Sequence, residues 1–553
     1  MFSTIFTPST TAVAGSLPAT ALLGLIPLIV FFVMLGVFKV ATHWCALSSL
    51  VASILVAVFG YAMPTTLALL SSTQGAAFGI FVICFIVVAA VWLYNLTETS
   101  GRAEDVRAVF SMVGKGDLRI QALLIAVCFC GLMEGLAGFG APVAIACSML
   151  FALGIPPLKA ALVTMVGNAL NVAFGAMAIP MITTARLGGV ETELLTGTGT
   201  RITPLFFIWI PLVMLAMLDG KRAVKDLWPL GLVAGAGMSI GHIVTAQYLS
   251  YELTAVVASL LSFVLVALMM RVWKPRTPED QRSRVDVASD LTASRIFFAL
   301  FPYGFVVLVF AAAKLWRIGI NVPAMLKTTD IAFPWRGLDG QLATVGGNIS
   351  TDTVLRLSTL SSPGTMLILS GLIVTLVYSL NDSAGKYPFT FRQGIATLGT
   401  TLWSLRMAII TITAVMALAY TMNFSGQTVA IGTLLATTGV AFAFFSPILG
   451  WLGTAVTGSA TSAGALFANL QVAAAQQTGL SPQLLLAVNE IGGGIGKIVS
   501  PQNLAIAATS VKNEGCEPEL LRRAAPFSVG LVFLLGCITV LASTGVASFL
   551  IAQ

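Results

Sequence analysis

The sequence predicts an all-α polytopic membrane protein, with about 12 transmembrane helices and two re-entrant helical hairpins in an inverted-topology repeat. Three observations predict this fold. The 553-residue chain is 57% hydrophobic and only 9% charged, whereas soluble domains carry about 25% charged residues. Apolar windows long enough to cross a bilayer recur along the whole chain. Two segments broken by small residues also resemble each other. We therefore treat residues 1–553 as a single integral membrane domain.

Twelve apolar segments are each long enough to cross a membrane once as a helix. They lie at about 20–40, 45–63, 74–95, 158–180, 203–218, 228–247, 251–271, 296–316, 364–380, 394–420, 481–500 and 526–550.

Two further apolar segments, 120–153 and 443–477, predict re-entrant hairpins. Each is about 34 residues long, which is too long for a single crossing at a helical rise of about 1.5 Å per residue. Small residues break each segment at its middle, and the halves of about 15 residues are too short to cross easily. Irregular backbone at membrane depth needs protein or water around it. We therefore expect each segment to enter and leave on one side.

Basic residues predict the orientation of the chain. With the N-terminus outside, 20 of the 29 Lys and Arg residues fall in cytoplasmic loops and seven in outer loops, which is the usual bias. This orientation gives a cytoplasmic loop at 272–295 and an external loop at 317–362, with both chain ends outside. The net charge of +7 then reflects membrane orientation rather than nucleic-acid binding.

An internal repeat relates residues 134–180 to residues 457–501. Each segment opens with a small-residue break, turns at a Gly-x-x-Pro and meets a second break at a Gly-x-x-x-x-Pro. The predicted orientations are opposite, so the repeats, 74–218 and 394–550, have inverted topology. Such repeats with interrupted helices indicate a substrate site at the repeat interface. The alternative interpretation is that glycine-rich helices merely pack closely.

Two glutamates, Glu134 and Glu490, lie inside apolar segments. A carboxylate at membrane depth is costly, and burial disfavours its charged form, so such a group can exchange protons. We expect both to take part in proton coupling. Lys497 follows Glu490 by two helical turns. It has three possible roles: to bind an anionic substrate, to pair with a buried glutamate, or to extend to the cytoplasmic interface.

Small and polar residues collect at the breaks, where exposed N–H groups and helix dipoles favour anions. They predict a small polar cavity for a hydroxylated carboxylate, although any single Asn or Ser could instead form only a helix–helix hydrogen bond. The predicted substrate-binding residues are Gly138, Gly140, Asn168, Asn171, Thr457, Ser459, Thr461, Ser462, Asn489, Lys497, Ser500 and Gln502. No motif for nucleotide binding, metal binding or covalent catalysis is visible, so we expect no enzyme activity and no cofactor.

Five stretches of the chain carry a resemblance to the lactate permease family. They are LMEGLAGFGAPVAI (132–145), VAFGAMAIP (172–180), FFSPILGWLGTAVTGS (444–459), ALFANLQVAAAQQTGLS (465–481) and GKIVSPQNLAIA (496–507). The resemblance implies proton-coupled uptake of L-lactate, and of D-lactate and glycolate, across the bacterial cytoplasmic membrane. It also implies kinship with the broader ion transporter group, with paired hairpins, elevator-like movement and a homodimer.

The chain departs from the family pattern at three positions. Ala460 stands where the family commonly has an aspartate, Glu490 where family members carry a small hydroxyl residue, and Asn171 where they have a proline. Either the intramembrane acid has moved from one break to the other, or the coupling ion or substrate differs. A sodium-coupled or otherwise different small-carboxylate transporter therefore stays open as the alternative. A channel would require a continuous pore. Two re-entrant hairpins that do not cross the membrane do not favour such a pore.

Overall fold

A computed structural model describes residues 5–138, 140–282, 291–315, 318–345 and 347–553. The described chain is mostly α-helical. The first twelve helices are α1 Leu17–Gly36, α2 Thr42–Leu55, α3 Thr65–Phe78, α4 Phe85–Thr99, α5 Ala103–Val113, α6 Leu118–Leu123, α7 Cys130–Leu136, α8 Ala141–Ala152, α9 Pro157–Asn168, α10 Gly175–Leu187, α11 Thr192–Ile202 and α12 Pro204–Phe207.

The remaining helices are α13 Ile210–Tyr248, α14 Thr254–Val272, α15 Ala293–Ala313, α16 Val322–Leu326, α17 Pro363–Leu380, α18 Phe391–Ser425, α19 Gln427–Ala436, α20 Phe442–Thr457, α21 Ala460–Thr478, α22 Pro482–Gly496, α23 Pro501–Ser510 and α24 Glu517–Ser543. Short 3-10 turns and π-helical stretches continue several of these helices. In the described chain the one sheet pairs β1 Ile331–Pro334 antiparallel with β2 Val354–Leu357.

Twelve helical runs of the described chain are long and apolar enough to cross a membrane. The predicted all-α polytopic fold is therefore confirmed, but the set of runs differs from the predicted spans. Leu118–Leu136 and Gly439–Thr457, which were predicted as hairpin halves, belong to the twelve. The predicted spans 203–218 and 228–247 fall in one run, Thr192–Tyr248.

Helix α11 lies outside every predicted span, because its sequence TELLTGTGTRI is rich in threonine and glycine. Its hydroxyl groups are satisfied within the helix. Thr196, Thr198 and Thr200 donate to the carbonyls of Thr192, Leu194 and Thr196 at 2.7, 2.8 and 3.0 Å. Such internal bonds let a polar helix be buried, and hydropathy alone does not reveal them.

The two segments predicted as hairpins are antiparallel helix pairs. In the first, both ends reach the same place: Arg119 lies 3.4 Å from Asp219, and Lys159 donates to the Leu218 carbonyl at 2.7 Å. In the second, Ser446 donates to Gln471 at 2.9 Å, at equal distances along the chain from the tip.

The predicted hairpin halves of about 15 residues are wrong in length. The first pair, predicted at 120–153, has halves of 19 and 12 residues, and the second, predicted at 443–477, has two halves of 19 residues. The helices continue through flanking residues that the apolar pattern did not include. A 19-residue helix is about 28 Å long, so a re-entrant path stays a prediction.

The two helix pairs open toward opposite ends of the molecule. Helix α20 of the second pair runs against α24, with Trp451 donating to Ser528 at 2.8 Å and the ring centroids of Phe444 and Phe533 5.5 Å apart. Helix α24 begins near Ser510, whose carbonyl accepts from the Ser148 hydroxyl in the first pair at 3.2 Å. The second pair therefore opens at the end away from the first pair's opening, which is the inverted arrangement that the repeat predicts.

Contacts join the loops at each end of the molecule. At the end predicted to be cytoplasmic, Arg119 contacts Asp117 and Asp226 at 2.9 and 3.1 Å. At the other end, Lys314 pairs with Glu252 at 2.7 Å. Sidedness itself stays a prediction. Residues 283–290 of the predicted loop 272–295, and Arg317, at the start of the predicted loop 317–362, lie outside the described residues.

Glycine allows helices α20 and α22 to pack with their backbones in contact. A Cβ atom at Gly450 would overlap the Asn489 carbonyl oxygen, and a Cβ atom at Gly492 would overlap that of Pro447. A Cβ atom at Gly496, one turn further along α22, would overlap the Trp451 carbonyl. Small residues four apart are typical of close helix pairs in membranes. Gly450, Gly492 and Gly496 therefore serve to let α20 and α22 pack closely.

Replacing Gly450 by Val should cost about 1–3 kcal/mol or more, because the added atoms meet backbone that cannot move aside. We expect a large loss of monodisperse protein in detergent, measured by size-exclusion chromatography, and a lower midpoint of thermal unfolding. Gly530→Val is the matched control, since nothing lies within 4 Å of a Cβ atom there. Equal behaviour of the two variants would contradict the close packing.

Candidate functional site

One cavity of about 70 Å³ lies where four breaks in the helices meet. Two are the tips of the helix pairs, and two lie in the segments that follow the pairs. The first repeat contributes the tip before α8 and the break in the first turn of α10. The second contributes the tip before α21 and the break before α23. The lining residues are Glu134, Gly138, Val172, Gly175, Ala176, Ile179, Pro180, Gly458, Ser459, Ala460, Thr461, Lys497 and Gln502.

Glycines in the left-handed region form the two tips. Gly138 and Gly140 have φ of +58° and +88°, and Gly458 has φ of +74°, a backbone conformation that residues with a Cβ atom rarely adopt. Ser459 then caps α21 by accepting from the Ser462 amide at 3.2 Å. The sequence therefore places both tips where glycine permits a sharp break.

The break in the first turn of α10 is built differently, because residues without the freedom of glycine hold a left-handed backbone there. Ala176, Met177 and Ala178 have φ of 43°, 61° and 58°. A non-glycine residue in this region costs about 1–2 kcal/mol, and such strain clusters at functional sites. Ala176 lines the cavity, so the strained turn forms part of its wall.

A buried ion pair joins the two repeats at the cavity. Lys497 Nζ lies 3.0 Å from Glu134 Oε1, across 363 residues of sequence. Asn168 donates to the other oxygen, Oε2, at 2.8 Å. Glu134 is 2% exposed and Lys497 is 7% exposed. Of the three roles considered for Lys497, the structure shows pairing with a buried glutamate.

The surroundings of this pair favour an anion. Helices α21 and α23 begin at the cavity, where Thr461 and Gln502 line it, and helix N-termini carry partial positive charge. Ser500 caps α23 by accepting from the Asn503 amide at 3.3 Å and donates to the Lys497 carbonyl at 3.1 Å. The cavity therefore combines one ammonium and two helix N-termini with a single carboxylate.

Glu490 lies elsewhere, against helices α10 and α21. Thr184 donates to Glu490 Oε1 at 2.6 Å, and the residue is 1% exposed. Its other oxygen, Oε2, has no hydrogen-bond partner among the described residues. A Cβ atom at Gly464 would overlap both Glu490 and Thr184. The two predicted proton-coupling residues thus have different environments. Glu134 lines the cavity and pairs with Lys497. Glu490 is not among the cavity-lining residues, and its described polar contact is with Thr184.

The predicted binding residues divide into those that line the cavity and those that support it. Gly138, Ser459, Thr461, Lys497 and Gln502 line it. The others do not line it. Gly140, Asn168, Thr457, Ser462, Asn489 and Ser500 fix the backbone or hold a neighbouring side chain, and Asn171 packs against Gly131.

Asn171 and Asn489 face other helices. Gln471 Nε2 donates to the side-chain oxygen Oδ1 of Asn489 at 3.2 Å. The Asn171 amide occupies the space where a Gly131 side chain would lie, and neither of its polar atoms has a partner among the described residues. The alternative of a helix–helix hydrogen bond fits Asn489, whereas Asn171 forms no such bond among the described residues.

Several site residues gave no sequence signal. Val172 and Ile179 line the cavity, but apolar residues in an apolar segment do not stand out. Thr184 gave no signal because its partner, Glu490, is 306 residues away. Gly458, within the glycine- and hydroxyl-rich tip TGSATSAG, could have been found from its position alone.

The ion pair yields a stability prediction. Removing one partner of a buried pair costs about 3–5 kcal/mol, whereas neutralising both costs much less. Glu134→Gln and Lys497→Met should each lower the midpoint of thermal unfolding, and the double variant should recover part of the loss. Strictly additive losses across this cycle would contradict an energetic coupling between the two side chains.

Comparison with known proteins gives a consistent result. The family model described as L-lactate permease matches residues 20–545. The glycolate permease GlcA of Escherichia coli strain K12 is 34% identical over 552 residues, covering 95% of this chain and 96% of that protein.

Two L-lactate permeases are similarly related. That of Bacillus subtilis strain 168 is 32% identical over 565 residues, covering 97% of this chain and 98% of that protein. That of Escherichia coli strain K12 is 33% identical over 545 residues, covering 96% of each. A solved structure of Neisseria gonorrhoeae MtrF has a TM-score of 0.44 and 12% identity, covering 84% of this chain and 82% of that one, a similarity too low to establish a shared fold.

Proposed function

The chain belongs to the L-lactate permease family, a family of multi-pass bacterial membrane proteins, and from this membership we propose that it takes up L-lactate by proton symport. D-lactate and glycolate are the further proposed substrates, because a glycolate permease is among the relatives. The observation that carries the proposal is the buried Glu134–Lys497 pair in a cavity shared by both repeats.

The size of the cavity suits a small acid. A cavity holds one water molecule when about 10–15 Å³ is open to the molecule's centre. The cavity of about 70 Å³ therefore holds roughly five waters or an acid of a few carbon atoms. Ser459, Thr461 and Gln502 line the cavity and supply hydroxyl and amide groups for the substrate's 2-hydroxyl. The carboxylate lies toward Lys497 and the N-termini of α21 and α23.

Proton coupling follows from the charge balance of the site. Without substrate, Glu134 balances the charge of Lys497 at 3.0 Å. A bound carboxylate would place two anions on one buried cation, and an uncompensated buried charge is strongly unfavourable. A proton on Glu134 removes the excess charge, and Lys497 then pairs with the substrate. One proton therefore binds with each carboxylate, and the net charge of the loaded site equals that of the empty site.

Glu490 is the second proposed proton site. Ala460 lines the cavity where the family commonly has an acid, and its Cβ atom lies 3.6 Å from where a Gly493 Cβ would be. Glu490 is three residues before Gly493, and it packs against Gly464, one turn after Ala460. Positions 460 and 490 thus lie at the same α21–α22 contact. This supports the hypothesis that the acid found at position 460 in the family is replaced here by Glu490.

The remaining features of the family complete the proposal. The two helix pairs and the cavity between them move together across the membrane in an elevator-like manner, and the protein forms a homodimer. Both statements rest on the resemblance.

Uptake by purified protein in liposomes tests the proposal. Radiolabelled L-lactate should accumulate when a pH gradient is imposed, with or without Na⁺, and unlabelled glycolate should compete. Strict dependence on Na⁺ would contradict proton symport in favour of sodium coupling, and the absence of lactate uptake would contradict the proposed substrate.

Glu134→Gln should abolish accumulation driven by a pH gradient, because the amide cannot take up the coupling proton. Exchange of internal for external lactate should persist, and its rate should lose its pH dependence, since Lys497 is then permanently available. Lys497→Gln should instead lose both activities. Measurements of counterflow and accumulation separate the two variants, and accumulation by Glu134→Gln at the wild-type level would exclude Glu134 as the coupling residue.

The proposed relocation of the acid predicts a compensating pair. Glu490→Ser should reduce pH-driven lactate accumulation several-fold, because one buried carboxyl group is lost. Ala460→Asp in the same protein should restore much of the accumulation. Initial rates normalised to the amount of protein in the membrane provide the measurement. If Ala460→Asp lowers accumulation further in the Glu490→Ser protein, the two acids are not equivalent.

A further inference from the structure

Two large cavities lie at the end of the molecule that is predicted to be external. Their volumes are about 800 and 360 Å³, and both lie between the last turns of α10 and the segment 318–362. Three residues line both cavities: Arg186, Asp330 and Ser358. The two cavities therefore adjoin at Arg186, which is solvent-exposed.

Three other charged side chains of the larger cavity, and Glu252, have partners among the described residues. Lys314 pairs with Glu252 at 2.7 Å. Arg201 donates to the Ile551 carbonyl at 2.8 Å. Asp330 accepts from the Ser361 hydroxyl. Their contacts fix loops and the C-terminal residues to one another.

Arg186 is the cation that lines both cavities, and its guanidinium forms no hydrogen bond or ion pair with any residue that the structure describes. Asp330 and the hydroxyl-bearing Tyr251 and Tyr420 lie within electrostatic range of its guanidinium. Asp352 also lines the smaller cavity. The guanidinium thus lies where the two cavities adjoin, with its donors available to a ligand.

Helix α10 connects this guanidinium to the central cavity. Ile179 and Pro180 line the central cavity, whereas Ile182 and Arg186 line the larger outer one. Arg186 is six positions after Pro180 along the helix, a rise of about 9 Å. The two cavities are therefore less than two helical turns apart along one element.

We propose that Arg186 forms an outer binding site for a small carboxylate anion, from which the substrate passes to Lys497. This inference rests on the proposed function. A guanidinium binds a carboxylate through two parallel hydrogen bonds. The carboxylates of Asp330 and Asp352 in the same cavities weaken that binding, so that the anion is held and then released inward, as successive sites along a permeation path require.

Uptake by intact cells tests the outer site, because substrate then arrives from the external face alone. Arg186→Gln should raise the KM for external lactate about tenfold, the effect of losing a charge-assisted contact, with the maximal rate within about twofold of wild type. Arg186→Lys should give an intermediate KM and tests the site independently if Arg186→Gln does not reach the membrane. Uptake of glycolate and pyruvate is measured in parallel.

Lys327→Gln is the matched control. Lys327 is a cation of the same outer cavity, on the 318–362 side, and its replacement should change KM less than twofold. An unchanged KM in Arg186→Gln overturns the outer site, as does an equal rise in Lys327→Gln, which would indicate a general field of the cavity. Failure of the wild type to take up any of the three acids would instead overturn the proposed function and the outer site together.

Discussion

The central constraint on this molecule is that a carboxylate and an ammonium are both buried at the meeting point of two repeats. Neither charge is tolerable there alone, because removal from water costs several kcal/mol per ion. The 3.0 Å contact between Glu134 and Lys497 makes each charge tolerable through the other. In the proposed symport, a proton on Glu134 lets a new anion enter the site without a net change in charge.

The backbone around this pair follows from the same constraint. Two antiparallel helix pairs that open at opposite ends bring their tips to one cavity, and two interrupted helices complete its wall. Helix N-termini are the least costly way to present positive charge without another ionised side chain. Glycine serves two purposes in this arrangement: Gly138 and Gly458 turn the chain, whereas Gly450, Gly492 and Gly496 let helices touch.

The sequence predicted the class of fold and singled out Glu134 and Lys497 separately, because each leaves a local mark, but it did not predict that these two residues pair. Long apolar runs, small-residue breaks and an ionised residue in hydrocarbon are all visible in one chain. The position of Glu490 was not predictable, since its neighbour Thr184 comes from the other repeat. Asn171 and Asn489 look the same in sequence as residues that line a cavity, and only packing separates them. Helix α11 was missed because its hydroxyl groups bond internally, which hydropathy does not record.

Proton uptake on substrate binding tests the exchange of partners at Lys497 most directly. Purified protein in weakly buffered detergent solution near neutral pH is mixed with L-lactate, and the change in pH is compared with the amount bound. About one proton should be taken up per lactate by the wild type and none by Glu134→Gln, although the variant still binds. Lactate binding without proton uptake in the wild type, or equal uptake by Glu134→Gln, would contradict the proposed role of this ion pair.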